Sequence, residues 1–162
     1  MSEFEFLKRI CIAVSRILFN MNNENSAPKS KDSYLIFPIR QKIVSEQEAR
    51  FLFAQELEYT KKFYSIETPT IKKYKFSKKA KSLSSGSIDL CIHENKQLKR
   101  DIIVEFKAHA CNCKKDFEKL LTEKENGLFF HLLNNVDMGT LNNGIIAHYS
   151  VDFENARSSE KA

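Results

Sequence analysis

Phe4, Leu7, Ile10, Cys11, Val14, Ile17, Leu18 and Met21 recur at intervals of three and four, the spacing that lines one face of a helix. A first helix with a single apolar stripe follows, and that stripe needs a partner surface: the body of the domain, a second copy of the chain or another protein. The next stretch, NMNNENSAPKSKDS from Asn20 to Ser33, is polar and reads as a linker. Residues 1–33 therefore form a helix and tether, and residues 34–162 form the domain proper.

YLIFPI, Tyr34 to Ile39, is a short apolar piece. Ser45 then caps a second helix through EQEARFLFAQELEYTKKF, with Glu48 at the capping-box position. Phe51, Leu52, Leu57 and Phe63 supply its expected core stripe. After it the period changes from helical to alternating. TIKKYKF, GSIDLCI and DIIVEFKA read as three strands, the last two joined by the polar turn HENKQLKR. A helix over 114–124, an apolar strand GLFFHLL and a last apolar piece GIIAHY complete the chain. An α/β fold with a mixed central sheet flanked by helices follows from this order.

Composition narrows the setting. With 26 Lys and Arg against 21 Asp and Glu, the net charge is +5 and the pI about 9.0. From Lys61 to Lys81 eight lysines stand against one acid, Glu67, with Phe63, Tyr64, Tyr74 and Phe76 among them. Such a stretch is a solvated lysine face or a surface that follows a phosphate backbone. Four cysteines without framework spacing indicate reduced thiols, and the N-terminus, with Arg16 inside its apolar run, resembles neither a signal peptide nor a membrane span. A cytoplasmic protein is expected.

Candidate chemistry centres on RDIIVEFKAHA. Ile102, Val104 and Phe106 point to one side of this strand, and Ile103, Glu105, Lys107 and His109 to the other. A carboxylate and an ammonium in an otherwise apolar strand demand pairing, hydrogen bonds or a metal. If SIDLCI is the neighbouring strand, Asp89 joins them. Two carboxylates offer hard oxygen ligands to a divalent ion such as Mg2+ or Mn2+, and a lysine offers positive charge to a phosphate or its attacking water.

Asp89 followed by Glu105-Phe106-Lys107 on an apolar strand resembles the PD-(D/E)xK nuclease superfamily, the restriction-endonuclease-like fold. The order of elements from Ser45 to Tyr149 is similar to that family's α-β-β-β-α-β core, here with an extra N-terminal helix. Ile88 stands where the family name has proline. The resemblance implies that Asp89 and Glu105 hold Mg2+ or Mn2+, that Lys107 is the catalytic lysine, and that a helix glutamate completes the set, Glu48 with Glu46 as the alternate. It implies a nuclease acting on DNA, or alternatively on RNA, and the lysine-rich stretch would then meet the phosphate backbone through Lys72, Lys73, Lys75, Lys78, Lys79 and Lys81. A module that keeps the fold and binds nucleic acid or protein without turnover is the competing expectation.

Other groups rank lower. His109, Cys111 and Cys113 lack the paired clusters of a zinc site. Asp101 reads as a turn residue, and His109 as a strand-end histidine able to reach phosphate. Gln55 is a candidate for lining the same cleft. Asp116, Glu118 and Lys119 have helical surface spacing, so solvation is expected of them. The four glycines form no phosphate-binding loop.

Overall fold

The computed structural model describes residues 2–22, 45–74, 82–109, 113–123 and 125–133, together with 149, 151 and 154. Two compact units divide the chain, Met1–Lys62 and Phe63–Ala162. YLIFPI lies outside the described residues, as does GIIAHY apart from Tyr149. Among the described residues no helix is long and apolar enough to cross a membrane.

In the first unit, α1 (Glu3–Asn22) packs on α2 (Glu46–Tyr59). The buried residues of α1 are Phe6, Ile10, Val14 and Leu18, an i, i+4 row, whereas Phe4 is 72% exposed. The expected stripe was thus rotated: Phe6 takes the place assigned to Phe4, because a straight helix with 3.6 residues per turn keeps every fourth residue nearly in line. On α2, Leu52, Phe53 and Leu57 are buried and Phe51 is exposed. The Glu48 carboxylate accepts the Ser45 amide at 2.8 Å and also meets the Ser45 hydroxyl, so the expected capping box forms.

The second helix ends sooner than its apolar spacing indicates. Lys61 takes a left-handed backbone, φ 57°, its amide donates to the Glu58 carbonyl at 3.1 Å, and the Lys62 amide reaches the Leu57 carbonyl at 3.2 Å. These two bonds make a Schellman ending, closed here by lysine where glycine is usual. Phe63 belongs to the following strand and is 42% exposed.

A four-stranded sheet forms the second unit, in spatial order β1-β2-β3-β4: β1 (Phe63–Tyr74), β2 (Ser84–His93), β3 (Arg100–Ala108) and β4 (Asn126–Leu132). The first two pairings are antiparallel and β3 with β4 is parallel, so the sheet is mixed. Parallel pairing of consecutive strands requires a crossover, and α3 (Lys114–Thr122) supplies it. Leu120 of α3 packs on Ile88, Cys91 and Ile103, while Cys113 and Phe117 pack with Leu121, Phe129 and Tyr149. A Cβ on Gly127 would lie 3.2 Å from Leu120, so glycine there lets β4 and α3 approach closely. On β2 and β3, Leu90, Ile92, Ile102, Val104 and Phe106 are buried as well, as expected for a strand covered on both faces.

A buried acid ties the helix to the sheet. Glu123, at the C-cap of α3 and 4% exposed, accepts the Ile71 and Lys72 amides at 3.0 and 3.1 Å, the Tyr74 hydroxyl at 2.9 Å and the Arg100 guanidinium at 3.1 Å. Those amides sit in the irregular stretch of β1 between Pro69 and Lys73, where ladder pairing with β2 shifts.

Because Lys61 holds a backbone shape that suits glycine, Lys61→Gly should raise stability by about 0.5–1 kcal/mol. Urea denaturation of the two proteins checks the sign; a loss of stability would show that the lysine side chain matters more than the backbone.

Candidate active site

β3 places Glu105 and Lys107 on the face that receives α3, and β2 brings Asp89 beside them. The β2–β3 register runs from His93↔Arg100 to Leu90↔Val104. One residue further, the Asp89 carboxylate itself accepts the Phe106 amide at 2.8 Å. This bond positions Asp89 next to Glu105 and satisfies a β3 donor. β2 and β3 thus bring Asp89 and Glu105 together, and Lys107 follows Glu105 by two residues on the same strand.

Glu105 is 1% exposed. Its Oε2 accepts from the Lys119 ammonium of α3, while Oε1 is buried and has no hydrogen-bond partner among the described residues. Lys119 also donates to the Ser87 carbonyl at 3.0 Å and stands 3.9 Å from Asp116. Asp116 in turn pairs with Lys107 at 3.2 Å. The result is a chain of alternating charge, Glu105, Lys119, Asp116 and Lys107, with Asp89 alongside. Burial pushes the Glu105 carboxyl up to about 8, the Lys119 ammonium opposes that rise, and the negative charges of Asp89 and Asp116 add to it.

Asp116 and Lys119 correct the expectation of a solvated helix surface. Their side chains are only 15% and 12% exposed. The signal was in the spacing: Asp116, Lys119, Leu120 and Glu123 fall at i, i+3, i+4 and i+7, one helical face that includes an apolar residue. Nothing in local composition separates such a face from a solvated one; the sheet that receives it decides.

His131, which the sequence offers only as a weak zinc ligand, borders this site. It pairs in register with Lys107 on the neighbouring strand, both ring nitrogens are buried without a hydrogen-bond partner among the described residues, and the Tyr149 ring lies 5.5 Å away. Burial lowers its pKa to about 4, with His109 and Lys107 adding to the effect. A neutral imidazole therefore borders the charged chain. The Tyr149 hydroxyl beside it is likewise buried and unpartnered.

The remaining candidates are placed as follows. Glu48 lies in the first unit, where it serves the α2 cap; Glu46 is in the same helical turn. Gln55 bonds to Tyr59 at 3.4 Å. Lys72 and Lys73 are exposed on β1, whereas Lys75, Lys78, Lys79 and Lys81 lie outside the described residues. His109 is exposed just past the end of β3, with φ 60°. Asp101 is in β3 itself, and the preceding turn is closed by the Glu94 amide on the Lys99 carbonyl at 2.9 Å. Cys91 and Cys113 are buried free thiols in separate apolar clusters, and Cys111 is outside the described residues. Among the described residues, no group of three or more His, Cys, Asp or Glu side chains is arranged to hold a metal ion.

Chemically, the site offers one buried carboxylate with an unpartnered oxygen, a second carboxylate fixed by a backbone amide, and two ammonium groups spaced by a third acid. Compared with protein-family models, curated proteins and solved structures, the chain matches none.

The raised Glu105 carboxyl has a definite consequence for stability. A proton bound more tightly in the folded state contributes stability that is complete below the unfolded value of 4.5 and is lost as pH rises through about 8. Glu105→Gln removes that dependence. In metal-free buffer the variant should gain on the parent by a few kcal/mol between pH 5 and pH 9, read as the difference in denaturation midpoints. Parallel curves across that range would show that Glu105 titrates normally.

Proposed function

We propose that this protein is a metal-dependent nuclease that hydrolyses phosphodiester bonds of DNA in the cytoplasm. The observation that carries the reading is the placement of Asp89 beside a buried, incompletely bonded Glu105, with Lys107 and Lys119 within the same charged chain. A fully buried carboxylate oxygen without a partner is rare and unfavourable, and a bound cation is one way to satisfy it. The strand–strand–strand–helix–strand order agrees with the resemblance noted in the sequence.

Asp89 and Glu105 suit Mg2+ or Mn2+, because Mg2+ keeps several waters and takes only one or two carboxylates from protein, the rest coming from phosphate. Bound there, the ion supplies charge neutralisation at phosphorus and polarises the attacking water. Lys107 orients that water or stabilises negative charge on the phosphate, exchanging its Asp116 partner for the substrate. Lys119 holds Glu105 in its buried position. Lys72, Lys73, Lys75, Lys78, Lys79 and Lys81 attract the phosphate backbone, so binding weakens steeply with salt.

A second reading has its own support. Glu105 and Lys107 already have ion-pair partners in Lys119 and Asp116, which is the arrangement of a module that binds nucleic acid, DNA or RNA, without cutting it. Cleavage of supercoiled plasmid and of single-stranded DNA with Mg2+ or Mn2+ separates the two. The parent should cut, and Glu105→Ala and Lys107→Ala should each reduce the rate by at least about a hundredfold while the salt-dependent DNA binding persists. Binding without cleavage by the parent would establish the second reading.

A further inference from the structure

α1 carries a second apolar stripe that its own unit leaves open. Phe6, Ile10, Val14 and Leu18 are buried, yet Phe4, Ile12 and Phe19 are 72, 42 and 68% exposed. A shallow groove runs along this outer side, lined by Lys8, Cys11, Ile12, Ser15, Arg16 and Phe19. At about 100° per residue, Phe4, Lys8, Cys11, Ile12, Ser15 and Phe19 share an arc of roughly 100°, on the opposite side from Ile10. An exposed apolar stripe of this length on a soluble helix marks an interaction surface.

The order of residues along the stripe indicates its occupant. About the midpoint between Cys11 and Ile12 its apolar positions mirror one another, Phe4 with Phe19 and Cys11 with Ile12, while Lys8 falls opposite Ser15. A two-fold axis through that midpoint sets each Phe4 against the Phe19 of a second copy, the self-complementarity an isologous interface requires. Charge selects the same direction. Glu5 and Arg16 lie on one flank of the stripe, both exposed, and in antiparallel pairing same-flank residues meet. Glu5 then falls about 3 Å along the axis from Arg16 of the second copy, twice by symmetry. Parallel pairing would instead set the two copies' Glu5–Arg16 flanks on opposite sides of the interface, where they form no such ion pairs.

We propose that α1 pairs antiparallel with α1 of a second copy of this chain, through Phe4, Ile12 and Phe19, with reciprocal Glu5–Arg16 ion pairs fixing the register. The pairing does not depend on the nuclease reading. One helix from each copy makes an interface at the small end of the range, so association is expected at concentrations up to about 100 µM.

Sedimentation equilibrium of the full chain tests this with charge reversal. The parent should dimerise, while Glu5→Arg and Arg16→Glu should each weaken association by about tenfold or more. The double variant, and an equimolar mixture of the two single variants, should recover it, because each restores opposite charges at both contacts. Both positions are exposed, and unchanged circular dichroism confirms that the fold is kept. A monomeric parent at the highest concentration overturns the proposal, as does a dimer indifferent to either reversal. A monomeric chain that binds anionic phosphatidylserine vesicles through α1 would assign the stripe to a membrane surface and overturn it too.

Discussion

Burial of the Glu105 carboxylate is the constraint around which the second unit is organised. An acid at the centre of a sheet strand is tolerated only with a cation and donors at hand. Lys119 supplies that cation from α3, donates also to the Ser87 carbonyl and stands 3.9 Å from Asp116. Asp116 then anchors Lys107. The crossover helix cannot shift or rotate relative to β3 without separating these charges, so the position of α3 is set by electrostatics as well as by Leu120 and Phe117.

A second buried acid acts in the reverse direction. Glu105 is a sheet acid met by a helix cation, and Glu123 is a helix acid met by sheet donors, one turn beyond Lys119. Its four donors come from β1 and from Arg100 at the start of β3. The two acids differ in one respect that bears on function. Both Glu123 oxygens are engaged, whereas Glu105 keeps an oxygen without a partner. Full satisfaction is what a structural carboxylate requires; under the proposed function, the open oxygen of Glu105 is where a cation would bind.

Much of this was legible in the sequence, for identifiable reasons. The strands β2 and β3 follow from apolar runs bounded by polar turns, and Asp89, Glu105 and Lys107 come together because period-two alternation places them on one face. The capping box of Ser45 and Glu48 is a local signal and was readable as such. What sequence spacing could not supply was tertiary. Phe4 and Phe6 both fit a helical stripe, and only packing against α2 chooses between them. Lys119 and Asp116 look like surface residues until β3 presents an acid to them. The early end of α2 was hidden because lysine, not glycine, occupies the left-handed position at Lys61. The spacing puts Glu123 on the same face as Asp116 and Lys119, but its donors lie on strands distant in sequence and could not be read from it.

The most direct test of the central claim is a carboxyl-carbon NMR titration of Glu105, in metal-free buffer and again with Mg2+. A carboxyl that titrates near 8 without metal and moves to markedly lower pH when Mg2+ is added would establish a buried acid awaiting a cation. A midpoint close to 4.5 that Mg2+ leaves unchanged would contradict it, and Glu105 would then be a structural acid held by Lys119 alone.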